Sequence, residues 1–169
     1  MMPLCVYDVV ATINGVRRTM AIGTNVVLAD LLRDMLGLKG CKIACDGGVC
    51  GACTVLVEGQ PVASCSMFAF EIDGKQVTTI EGLGDAASLH PVQKIFLERD
   101  AFQCGFCTSG MILSVTALLA AHPDPDEATI RRWLDGSICR CTGYQMIIEA
   151  VQLAALEMRQ ATRTSGEQR

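Results

Sequence analysis

The sequence predicts an α+β chain of two domains: a small sheet packed on one helix, then an all-α domain. Three observations carry this prediction. Residues 6–80 hold β-rich stretches punctuated by turn dipeptides, and from about residue 84 the apolar spacing changes to the helical period. Eight of the ten cysteines form two groups of four, one in each part. The expected divisions are 1–82, 83–160 and a polar C-terminal tail, 161–169, within which Thr162 to Arg169 is expected to be disordered.

The elements follow in order. Val6 to Ile13 is β-rich, Asn14-Gly15 is a strong hairpin turn, and Arg17 to Ile22 supplies the return strand. Leu28, Leu31, Leu32 and Met35 recur at helical spacing, with Gly37 where a C-cap would stand. After a glycine-rich cysteine loop come Thr54–Val57, the turn Glu58-Gly59 and an extended stretch ending near Cys65. Asp73-Gly74 is a further turn, before Val77–Ile80. Pro91 to Arg99 then reads as a helix with proline at its first position. Thr108 to Ala121 is a second, ended by His122-Pro123, and Asp126 to Leu134 a third. The fourth runs from Tyr144 to about Gln160, with Ile147, Ile148, Val151, Ala154, Ala155 and Met158 on its apolar face.

Composition narrows the function classes. Half of the 169 residues are hydrophobic, so a packed core is expected, built mainly from aliphatic side chains because Phe, Tyr and Trp number only five, two and one. A net charge of −4, with Lys and Arg scattered, gives no basis for binding nucleic acid or an anionic membrane surface. No apolar run approaches the roughly 20 residues of a membrane span. Met1-Met2-Pro3-Leu4-Cys5 lacks the pattern of a secretory signal, so a cytoplasmic chain with reduced thiols is expected. That counts against a disulfide framework.

The first cysteine set is Cys45, Cys50, Cys53 and Cys65, reading C-x4-C-x2-C with an outlying fourth cysteine. That spacing is the plant-type [2Fe–2S] pattern. Gly47, Gly48 and Gly51 suit a backbone that wraps a metal closely, with N–H groups turned toward the sulfurs. Cys65 is expected to arrive from a neighbouring strand. The competing reading, a four-cysteine zinc site, usually shows two short knuckles, and this set has one. The second set is Cys104, Cys107, Cys139 and Cys141, a C-x-x-C and a distant C-x-C. Thr108 and Thr142 each follow a cysteine near a predicted helix start, so two threonine-capped helix N-termini are expected to converge on one anionic centre. Zinc is a stronger competitor here, because a C-x2-C and a C-x-C also suit a tetrahedral site.

Cys5 and Cys41 fall outside both patterns, and Cys41 reads as a small buried residue. His90 and His122 flank prolines at helix boundaries, which argues against a mixed histidine–cysteine centre. Arg140, between two ligands, is either solvated or raises a cluster's potential through its charge. No nucleophile triad, phosphate-binding loop or carboxylate pair stands out, so no catalytic residue is expected on this chain.

Three motifs, Cys45-Asp-Gly-Gly-Val-Cys-Gly-Ala-Cys-Thr-Val55, Gln103-Cys-Gly-Phe-Cys-Thr108 and Cys139-Arg-Cys-Thr-Gly-Tyr144, resemble the small iron–sulfur subunit of the molybdenum hydroxylases, the xanthine oxidase family. The resemblance covers residues 6 to 160 and includes the 31 residues between Cys107 and Cys139. It implies a ferredoxin-like β-grasp domain and a four-helix bundle, each carrying one [2Fe–2S] cluster. By the same resemblance, electrons come from a molybdopterin centre, in its cytosine dinucleotide form, on a large subunit. They pass the Cys104/Cys107/Cys139/Cys141 cluster, then the Cys45/Cys50/Cys53/Cys65 cluster, and reach FAD on a medium subunit, within a dimer of heterotrimers. Gln103 and Cys141 match the family's pterin-contacting positions. The substrate would be chosen on the large subunit, and N-heterocycles, purines, aldehydes, carbon monoxide and acyl-thioesters are all compatible. Departures include Ser109 where the family often has proline, Ser137-Ile138 for Asn-Leu, Cys41 for threonine and Ala44 for glycine. The alternative is a free-standing two-cluster ferredoxin, which the modest charge fits less well.

Overall fold

The structure, a computed structural model, describes residues 6–85 and 87–166, so Cys5 and residues 167–169 lie outside it. Strand β1 (Val6–Ile13) pairs antiparallel along its whole length with β2 (Val16–Gly23). Asn14 and Gly15, both at positive φ, make the two-residue turn that the sequence predicts. Helix α1 begins as one α-turn, Leu28–Asp30, and widens over Leu31–Met35, where the Leu36 N–H donates to the Leu31 carbonyl at 3.0 Å. Leu28, Leu31 and Leu32 are buried against the sheet, but the wider turn swings Met35 out to 52% exposure, off the apolar face predicted for it.

Strands β3 (Thr54–Val57) and β4 (Gln60–Ala63) form a second hairpin across Glu58-Gly59, again with two positive φ values. Strand β5 (Gln76–Thr78) sits between β1 and β3, parallel to the first and antiparallel to the second, so the sheet order is β2-β1-β5-β3-β4. It is shorter than the predicted 77–80, because Ile80–Gly82 tightens into a 3₁₀ turn that leads out of the sheet.

Four helices follow: α2 (Pro91–Glu98), α3 (Thr108–Ala121), α4 (Glu127–Leu134) and α5 (Gln145–Gly166). They share one apolar core that includes Phe96, Met111, Leu118, Ile130, Ile147 and Val151. The starts have local causes. His90 Nδ1 accepts the Val92 N–H ahead of α2, and the Asp126 carboxylate accepts the Thr129 N–H ahead of α4. Helix α5 runs past its predicted end, and residues 161–166 are helical rather than a disordered tail. Residues 146–165 contain no proline or glycine, and the Thr164 hydroxyl bonds back to the Gln160 and Ala161 carbonyls inside the helix.

Helix α3 is apolar nearly all round, the signature of a helix buried on several sides. One side joins the helical core; another sets Leu113 and Ala117 against Leu56 of β3, whose four residues are all buried. Polar groups stitch the same seam. The Ser109 hydroxyl donates to the Gly40 carbonyl at 2.6 Å, and the Gly40 N–H donates to Glu81 Oε1 at 2.7 Å. The Thr79 hydroxyl donates to Glu81 Oε2 at 2.6 Å and accepts from the Asn14 amide at 2.9 Å.

Burial opposes the Glu81 carboxylate, but the Thr79 hydroxyl and Gly40 N–H outweigh it and hold the carboxyl below the usual range. Its contribution to stability is therefore complete above 4.5, the ordinary carboxylate value, and is lost as pH falls through the lower folded value. Glu81→Gln is expected to cost about 1 kcal/mol near neutral pH, discounted for solvent screening. In urea melts the gap between variant and parent should close as the solution is acidified below that range.

Candidate metal centres

Cys45, Cys50 and Cys53 lie on the loop between α1 and β3. Cys65 sits on a 3₁₀ turn, Ser64–Ser66, immediately after β4 rather than on a strand as predicted. The Ser64 N–H and hydroxyl both reach the Cys53 carbonyl, at 3.4 and 2.7 Å, so the β3–β4 pairing makes its last bond at Ser64 and the chain turns off beyond it at Cys65. Asp46, Gly48 and Gly51 take positive φ and curl the loop. A Cβ on Gly48 would stand 2.5 Å from Ser66 Oγ, so glycine is required where the loop closes on the turn.

The N–H groups of Gly47 and Cys50 each point at Cys45 Sγ at 3.4 Å, and that of Gly48 at Cys65 Sγ at 3.3 Å. The N–H groups of Val49, Cys50 and Gly47 bring the Cys45 thiol down to about 6. Burial pushes Cys53, beside Cys65, up to about 11. The set thus has an exposed edge at Cys45 and a buried edge at Cys53 and Cys65.

In the second set, Cys104 and Cys107 precede α3, and Cys139 and Cys141 lie on the α4–α5 connection. The Cys104 and Cys141 sulfurs are 3.6 Å apart and both residues are exposed. Cys107 is half-buried; burial and its neighbour Cys139 push its thiol up to about 12. Burial raises the Cys139 pKa, but the Thr142 hydroxyl, donating to its sulfur at 3.2 Å, outweighs it and leaves the thiol below its ordinary value. The predicted threonine caps do not form. Cys107 takes the N-cap position of α3 without a side-chain cap bond, and Thr142 precedes α5 by three residues, its hydroxyl committed to sulfur. Gln103 and Arg140 are exposed, as are the cysteines that follow each of them, Cys104 and Cys141.

The eight thiols neighbour one another in pairs, Cys45 with Cys50, Cys53 with Cys65, Cys104 with Cys141, and Cys107 with Cys139, each shifting its partner's electrostatics or, for Cys104 and Cys141, touching it. Among the described residues no three such side chains close on one metal position. Two thiols for each of two irons is what a dinuclear centre uses, and thiolate donors with inward N–H groups fit an anionic iron–sulfur cluster.

The two sets are joined through the main chain. The Ile138 N–H, next to Cys139, donates to the Cys50 carbonyl at 2.9 Å. A Cβ on Gly51 would stand 2.4 Å from the Gly136 carbonyl oxygen, and one on Gly110 of α3 would stand 2.2 Å from that of Gly51. The motifs did not single out Gly110, Ser64 or the contacts of Tyr144; a glycine inside an otherwise strong helical pattern was the available signal for the first. Cys41 is buried as expected, its sulfur 3.2 Å from Ser64 Oγ.

The family model described as a 2Fe-2S iron–sulfur cluster binding domain matches residues 11–81, and that of a [2Fe-2S] binding domain matches residues 79–152. The chain is 48% identical over 139 residues to the nicotine 6-hydroxylase small subunit of Paenarthrobacter nicotinovorans, covering 82% of this chain and 84% of that protein. Quinoline 2-oxidoreductase from Pseudomonas putida 86 superposes with a TM-score of 0.87 at 40% identity, covering 92% of this chain and 97% of the matched chain. Aldehyde oxidoreductase from Desulfovibrio gigas gives 0.88 at 39% identity; there 92% of this chain matches only 17% of a longer polypeptide. With both iron–sulfur domains and near full-length kinship to such subunits, the chain belongs to the small iron–sulfur subunits of the molybdenum hydroxylase (xanthine oxidase) family and is an oxidoreductase subunit.

Proposed function

We propose that this chain is the electron-transfer subunit between a molybdopterin-bearing large subunit and an FAD-bearing medium subunit. Cys45, Cys50, Cys53 and Cys65 hold one [2Fe–2S] cluster, and Cys104, Cys107, Cys139 and Cys141 the other. The observation that carries this is the two-by-two pairing of the thiols, which suits two irons per site rather than one tetrahedral zinc. When bound, each cluster accepts and releases one electron.

The residues of the chain do the rest. The Gly47, Gly48 and Cys50 N–H groups offset negative charge on the first set. The exposed edge of Gln103, Cys104 and Cys141 is available to the large subunit and its pterin, and the exposed Cys45 edge to the flavin side. In this reading residues 1–82 are a β-grasp domain and 83–160 a four-helix bundle, in a cytoplasmic dimer of heterotrimers, and the substrate is selected on the large subunit.

The test is low-temperature EPR of the natively purified, dithionite-reduced protein, with metal analysis. Two distinct [2Fe–2S] signals, about four irons per chain and two larger co-purifying chains are expected. Zinc in place of iron would overturn the reading, and clusters on a chain that purifies without larger partners would make it a free carrier.

A further inference from the structure

Tyr144 holds φ at +70°, a backbone state that bulky side chains rarely adopt. In this state one residue meets Cys139 from two directions. The Tyr144 N–H donates to Thr142 Oγ1 at 3.3 Å, which orients that hydroxyl so that its own proton is free for Cys139 Sγ, 3.2 Å away. The Tyr144 phenol oxygen accepts the Cys139 N–H at 2.8 Å and donates to the Ser137 carbonyl at 2.9 Å. The result is a closed ring: Cys139 amide to phenol, Tyr144 amide to Thr142 hydroxyl, hydroxyl to Cys139 sulfur.

We propose that Thr142 and Tyr144 are positioning residues that clasp Cys139 by its sulfur and its amide, and that they set the redox potential of the cluster this cysteine holds. The proposal rests on the reading of Cys139 as a cluster ligand. A donor aimed at a ligand sulfur stabilises the reduced, more negative cluster and so raises its potential. Main-chain N–H groups face sulfurs of both sets, but in the first set the nearest hydroxyl, Ser66 Oγ, stands farther off, 3.6 Å from Cys65 Sγ. The strained backbone at Tyr144 is the local cost of holding Thr142 in this orientation.

The test is an EPR-monitored redox titration of the full, cluster-bearing chain. Thr142→Val keeps the side-chain shape and removes the donor. It is expected to lower the reduction constant of one cluster about tenfold, about 59 mV more negative for one electron, and to leave the other cluster unmoved. Thr142→Ser should restore the parent value, and Ser66→Ala should leave that same signal in place. Tyr144→Phe, which spares the Thr142 bond and frees the Cys139 amide, should release the same cluster's iron to a chelator several-fold faster.

Unmoved potentials in Thr142→Val, equal shifts of both clusters, or a serine variant that behaves like the valine one would overturn the proposal. If Thr142→Val cannot retain the cluster, retention at the parent potential in Thr142→Ser supports the role of the hydroxyl, and loss in both variants counts against it. A parent lacking two [2Fe–2S] signals would defeat the functional reading, and this proposal with it. A parent with both signals and insensitive variants would defeat the proposal alone.

Discussion

Gly110→Ala is expected to destabilise the protein by about 2 kcal/mol, the order of a methyl group forced into a packed interior. Helix propensity alone argues the opposite sign, because alanine is favoured over glycine inside a helix by about 1 kcal/mol. Sterics decides the sign. The new Cβ would stand 2.2 Å from the Gly51 carbonyl oxygen and 3.1 Å from that of Ala52. Both are main-chain atoms of the first cysteine loop, so they cannot rotate aside as a side chain would. Helix α3 must then lift from the loop that carries Cys50 and Cys53. Thermal unfolding should show the loss, and EPR of the reduced protein should show a weaker magnetic interaction between the two centres. Gly136→Ala is the matched control, since nothing lies within 4 Å of its Cβ position; it should leave both readouts near the parent.

Cys107→Ser is expected to remove one centre and spare the other. Iron should fall from about four to about two per chain, with one of two EPR signals lost. The main chain at Cys107 is fixed as the N-cap of α3, so it cannot advance to compensate for serine's shorter reach and harder oxygen donor. The first set survives because it is seated against a different core, the one formed by α1 and the sheet. Loss of both signals, or of neither, would contradict this separation.

Much of the fold is legible in the sequence because its signals are local. Asn14-Gly15 fixes the first hairpin, and His122-Pro123 ends α3 at the predicted residue. The two iron–sulfur domains are legible for the same reason, since the cysteine spacing that marks each is written along the chain. What escaped depends on partners distant in sequence. Met35 turns outward because α1 widens, and Cys65 lies just past the last β3–β4 bond, which Ser64 makes to the Cys53 carbonyl. Thr142 does not cap the helix as a threonine there usually does, because the Cys139 sulfur competes for its hydroxyl. Ser109 stood out only as a departure from the family pattern; in the structure its hydroxyl ties α3 to Gly40.

The shared position of α3 bears on how the protein matures. Cys53 and Cys65 are only 2% and 7% exposed, behind a loop that Gly110 of α3 presses against. With that helix docked, the inner thiol pair is closed off from solvent while Cys45 of the same set stays exposed. With Cys53 and Cys65 as ligands of the proposed first cluster, the expected result is that apo-protein allowed to close first takes up iron more slowly than freshly refolding chain, which a time course of iron uptake checks.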